Sequence, residues 1–116
     1  MTVENLTLEQ VQNIVAEAKS EARKAADAFF QTRLNGVDQY ACGFAWVSIH
    51  GVKGNTKLGK MLKSAGVDQN YQKVFQIWNP SGHNAQNVDT KEAGAEAAAK
   101  VFERYGFTAY ADSRLD

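Results

Sequence analysis

The residues of this chain with chemistry to offer are few: two histidines, one cysteine and one glycine-lysine loop. Gly54-Asn-Thr-Lys-Leu-Gly59-Lys60 has the spacing G-x-x-x-x-G-K that cradles nucleotide phosphates, and it lies between a predicted strand and a predicted helix. The pattern needs a Ser or Thr hydroxyl next, to hold magnesium, and here residue 61 is Met. The nucleotide-hydrolysing reading is therefore set aside. Asn55 or Thr56 capping a short helix that stops at Gly66 explains the same residues. Lys53, Lys57 and Lys60, with Lys63 beyond them and no acid between, form either a solvated helix face or a site for an anion such as phosphate.

The second chemical cluster is the loop from Asn79 through Pro80, Ser81, Gly82 and His83 to Asn87. It offers amides, a hydroxyl and an imidazole, groups suited to reading hydrogen-bond patterns, and no carboxylate before Asp89. His83 has the intrinsic pKa of a general base, but a solvent-exposed loop histidine is the simpler expectation. A hydrolase would have to bring His50, Ser81, His83 and Asp112 together, and nothing in their spacing does so. Two histidines and one cysteine do not supply the usual zinc-ligand spacings. The expectation is a non-enzymatic protein with no catalytic residue, no metal and no cofactor.

The elements that must position these groups come from periodicity. Phe44 to His50 alternates, with Ala45, Val47 and Ile49 on one side and Phe44, Trp46, Ser48 and His50 on the other. Two further strands are expected, Tyr71–Trp78 and Phe107–Asp112. Together the three predict one face ready for helices and an opposite face carrying Trp46, His50, Val74, Gln76, Trp78, Tyr110 and Asp112. A sheet covered on one side only would display those aromatics to another copy of the chain, a partner protein or a stacked base; a helix covering them is the alternative. The candidate contact residues are Trp46, His50, Gln76, Trp78, Tyr110 and Asp112 of this face, with Asn79, Ser81, His83 and Arg114.

Three helices complete the expected order α-β-α-β-α-β. The first opens with the capping box Thr7/Gln10 and a Leu6–Val11 staple, and carries an apolar stripe through an alanine-rich middle to Phe29 and Phe30, expected in the core; Asn35-Gly36 ends it. The third reads from a box formed by Asp89 and Glu92 to a stop at Gly106, and its Gly94 and Ala97–Ala99 permit close approach to the first. The fold class is thus α+β, or a small α/β, as a two-layer single domain around a sheet of about three strands.

At 116 residues the chain can bury a core without staples, and 44% hydrophobic with 22% charged residues is ordinary for a folded protein. Thirteen basic residues balance thirteen acidic ones, which argues against a dedicated duplex-DNA binder but leaves room for a local basic patch. Cys42 has no partner for an internal disulfide and is expected as a small buried hydrophobe, which suits a reducing compartment. No segment resembles a membrane span or a signal peptide, so a cytoplasmic location is expected.

Tyr40-Ala-Cys-Gly-Phe-Ala-Trp-Val47, Gln76-Ile-Trp-Asn-Pro-Ser-Gly82, Lys91-Glu-Ala-Gly-Ala95 and Ser113-Arg-Leu-Asp116 resemble segments of short accessory proteins of tailed bacteriophages, especially marine ones. The resemblance covers roughly residues 40–116. It implies a viral protein acting inside an infected bacterium and transfers no catalytic residues, because that group has no established activity. Two function classes follow from the residues: a binding protein that meets a host or viral macromolecule or its own copy, and, as the alternative, a small nucleotide or single-stranded nucleic-acid binder.

Overall fold

The computed structural model describes residues 3–116. After a short 3-10 turn at Val3–Asn5, α1 runs from Leu8 to Arg33. Its Thr7 capping box is formed as expected: Gln10 N–H donates to the Thr7 hydroxyl at 3.2 Å and Thr7 N–H to Gln10 Oε1 at 2.8 Å. Then come β1 (Gly43–His50), α2 (Lys57–Ser64), β2 (Asp68–Gln69), β3 (Phe75–Trp78), α3 (Val88–Arg104) and β4 (Thr108–Leu115). The described residues form an α+β fold, with three α-helices and a four-stranded antiparallel sheet in the order β2-β3-β1-β4.

The expected order lacked one strand. Asn70 takes N–H groups from Gln72 and Val74 on its side-chain oxygen, and this turn folds Asp68–Gln69 back onto Phe75–Gln76. Of the expected strand Tyr71–Trp78, the first half is therefore turn and the second half is β3. β3 and β4 flank β1 and run the same way, with α3 as the crossover between them.

One core joins all three helices to one face of the sheet. Ala45, Val47, Ile49, Phe75, Ile77, Phe107 and Ala109 are buried on that face, beneath Ile14, Val15, Ala18 and Ala22 of α1, Leu58 and Leu62 of α2, and Ala98, Val101 and Phe102 of α3. The alanine stripes bring α1 and α3 close together. A Cβ at Gly94 would sit 3.2 Å from the Ala22 carbonyl oxygen and 2.8 Å from Ser81 Cβ. Phe29 and Phe30 are only partly buried, because the end of α1 runs past the core; Phe30 instead packs on the His83 ring with centroids 4.9 Å apart.

Candidate functional site

The even-numbered side chains of β1 emerge on the face opposite the helices. Asn79 N–H donates to the Ala45 carbonyl at 2.9 Å, so the odd residues of β1 are those bonded to β3. Trp46 and Trp78 are directly opposed and therefore form a non-hydrogen-bonded pair, the kind whose side chains stand closest. Their rings stack with centroids 4.8 Å apart and planes 24° from parallel. Phe44 meets Trp78 edge-on at 6.0 Å. The Arg114 guanidinium lies 5.5 Å from the Phe44 centroid and 5.8 Å from that of Trp78.

The register lays this face out in rows. Arg114 stands beside Phe44; Asp112, Trp46 and Trp78 form the next row; Tyr110, Ser48, Gln76 and Asp68 the third; Thr108 and His50 the fourth. One end is thus aromatic and cationic, while the middle is polar. Ser48 Oγ donates to Asp112 Oδ2 at 3.0 Å, Asn70 Nδ2 reaches Gln76 Oε1 at 3.5 Å, and the His50 ring tilts against Tyr110 at 5.4 Å. Among the described residues no helix covers these groups. Trp78 is 44% and Tyr110 56% exposed, and Trp46 is half-buried by its neighbours. The expected Val74 precedes β3 and is half-buried.

The loop residues behave differently. Ser81 donates to Asn79 Oδ1 at 3.0 Å and accepts His83 N–H at 3.1 Å; Asn79 Nδ2 donates to the His83 carbonyl at 3.0 Å. His83 is not a solvent-exposed loop side chain but a buried one. Its Nδ1 accepts Ala85 N–H at 3.0 Å, which leaves the proton of the neutral ring on Nε2, 3.6 Å from Asp27 Oδ1. Arg23, paired with Asp27 at 3.0 Å, also donates to the Gly82 carbonyl at 3.3 Å. Asn79 and Ser81 therefore brace the loop internally, while His83 and the Gly82 carbonyl fasten it to α1. The serine hydroxyl is not hydrogen-bonded to the imidazole, and His50 and Asp112 stand on the sheet face, so these four groups do not form a nucleophile-base set.

A third cluster lies where the chain enters α3. Asp38 accepts Gln86 N–H at 2.6 Å, Asn87 N–H at 3.1 Å and the Asn87 side-chain amide at 2.8 Å. The Gln86 and Asn87 bonds, with the nearby Lys91 charge, outweigh desolvation and hold its carboxyl below the usual range. Asn87, not the expected Asp89, caps α3 by accepting Thr90 N–H at 2.8 Å. Lys91 is buried, donating to the Gly43 carbonyl at 2.9 Å with its ammonium 5.3 Å from the Phe44 centroid. It supports the cationic end of the aromatic face and was not foreseen; a lysine in the first turn of a helix, where the dipole disfavours it, was the available signal. Cys42, expected buried, is exposed just before β1.

The lysines divide otherwise than their spacing implied. Lys53 and Lys57 line one groove with Thr56 and Leu58; Lys53 also lines a second with Lys63 and Lys73, while Lys60 lines neither. Lys63 Nζ donates to the Gly54 carbonyl at 3.2 Å. Among the described residues, no three metal-ligating side chains gather and no helix is long and apolar enough to cross a membrane.

No family model, curated protein or solved structure matches this chain. The four-stranded face carries a stacked indole pair, a phenyl ring between two cations and a polar centre.

Proposed function

We propose that this protein is a non-enzymatic binding protein whose helix-free sheet face is its contact surface, in keeping with a phage accessory role in the bacterial cytoplasm. The observation that carries the reading is the Trp46–Trp78 stack on an uncovered face, with Trp78 44% exposed. Exposed aromatic clusters of this size are costly to leave in water, and tryptophan, tyrosine and arginine are the residues that dominate binding energy at protein contacts. Phe44, Trp46, Trp78 and Arg114 form the anchor, and Gln76, Asp112, Tyr110 and His50 supply hydrogen bonds around it. The favoured partner is a host or viral macromolecule.

Arg114 lying on the rings favours one second reading, a planar anionic ligand such as a nucleotide or a short single strand, its base against Trp78 and its phosphate on Arg114. Asp112 and Asp68 on the same face weigh against it. The chain has only two indole N–H signals, which makes NMR titration decisive. Shifts of both indoles and of Tyr110 on adding fractions of bacterial lysate, with the helix amides unmoved, support the first reading; the same shifts with oligonucleotides at low salt support the second. Perturbation confined to the helices, or none under either condition, would remove the open face as a contact surface.

A further inference from the structure

The sheet has two unequal edges. On one side β2 protects β3 with only two residues. On the other, β4 is eight residues long and pairs with nothing beyond it among the described residues. Asp116 N–H donates to the Cys42 carbonyl at 3.0 Å, continuing the β1–β4 register, so the even residues of β4 bond to β1. The N–H and C=O groups of Ala109, Ala111, Ser113 and Leu115 therefore point outward. This edge has no proline and no lysine, two common devices that keep such edges apart.

We propose that two copies of this chain pair antiparallel through their β4 edges, with the two-fold axis at Ser113. The charges select the register. An axis at Asp112 would oppose two aspartates and an axis at Arg114 two arginines. An axis at Ser113 sets Asp112 of each copy opposite Arg114 of the other, twice, in the close non-hydrogen-bonded positions of the open face. The outward groups of Ser113 then meet those of its copy, and the outward groups of Ala111 meet those of Leu115. Leu115, 68% exposed in the single chain, gains an apolar neighbour in Ala111. Such a contact is isologous and closes at two copies.

The pairing joins two four-stranded sheets into one of eight, with both helix layers on the same side. The row Trp78, Trp46, Asp112 continues into Arg114 and Phe44 of the other copy, so the two aromatic clusters flank one axis, with β1 and its copy about 14 Å apart at ~4.8 Å per strand. On the helix side Glu92 accepts the Ser113 hydroxyl at 2.7 Å, and it approaches its own copy near the axis. That is the like-charge cost of the arrangement. The pairing does not depend on what the open face binds.

With about seven residues on each side the contact falls at the small end of specific interfaces, so the dimer is expected to be concentration-dependent. Sedimentation velocity from about 1 to about 200 µM should show a monomer–dimer transition, since association follows mass action. R114D should weaken it by roughly tenfold or more, because both cross-strand ion pairs become repulsive. D112R/R114D should restore it, and E92Q should tighten it. In a C42S background, S113C should form an intermolecular disulfide on mild oxidation, since a directly opposed pair lies within bridging distance, while T108C should not. A monomer throughout the range, a double exchange that folds but fails to restore the dimer, or equal cross-linking at 108 and 113 would each overturn the proposal.

Discussion

Replacing Trp78 by alanine tests whether the indole pair is the surface feature described. A fully buried tryptophan removes about 150–250 Å² from water. Trp78 keeps 44% of its surface exposed. It therefore hides roughly 100 Å², worth about 2.5 kcal/mol at ~25 cal/mol per Å². Trp46→Ala should cost a similar amount. Part of each loss is the stack itself, whose 4.8 Å separation is that of a favourable offset pair, worth about 1 kcal/mol beyond area. The double variant should thus be about 1 kcal/mol less destabilised than the sum of the singles. Urea unfolding followed by far-UV circular dichroism, at a concentration where the chain is monomeric, measures all four states. A coupling within about 0.3 kcal/mol of zero would mean that the rings do not touch in solution. A single cost above about 5 kcal/mol, larger than removal of a wholly buried ring, would mean that something covers them.

Other outcomes follow from the remaining clusters. Asp38 has its carboxyl lowered by Gln86 and Asn87, so its contribution to stability is full above the unfolded value near ~3.9 and fades as pH falls through the lower folded value. Asp38→Asn should flatten the acid side of the stability profile, measured by thermal unfolding from neutral pH downward; an unchanged profile would exclude Asp38 as its source. Gly94→Ala should lower the melting temperature sharply, since its Cβ would press on the Ala22 carbonyl and Ser81, whereas at an ordinary helix site the change stabilises by about 1 kcal/mol. Cys42, exposed outside β1, should react fully with a thiol reagent in the folded state. Reaction only on unfolding would show it shielded.

Much of the candidate face was legible because a strand has a strict period of two. Once Phe44 to His50 is a strand, Trp46 cannot share a face with Val47, and Trp78 falls beside it through pairing. What stayed hidden was decided by partners distant in sequence. His83 is buried because α1 is long enough to carry Asp27 and Phe30 to the loop, and nothing near His83 announces that. Ser113–Leu115 look like a polar tail, yet they continue β4 because β1 reaches back to Gly43 and supplies bonding partners. β2 has no signal of its own; two residues join the sheet because Asn70 reverses the chain. Helix boundaries were clearest where a side chain caps locally, as Thr7 and Thr56 do. The start of α3 was misplaced by two residues because its cap is itself held by Asp38, 49 residues upstream.

The central position of β1 has a consequence for synthesis. Both of its neighbours come later in the chain, and the bond from Ser48 to Asp112 spans 64 residues. A nascent chain emerging from the ribosome therefore carries Phe-Ala-Trp-Val-Ser-Ile with both edges unsatisfied until β3, and then β4, has been made. Contacts of such long span form slowly, and an unpaired apolar strand is prone to sticking meanwhile. α1, complete well before, is the element able to shelter the odd-numbered side of that strand during the wait. The indole side has no such escort, so heavy overproduction should reveal itself first as inclusion bodies, relieved by slower translation.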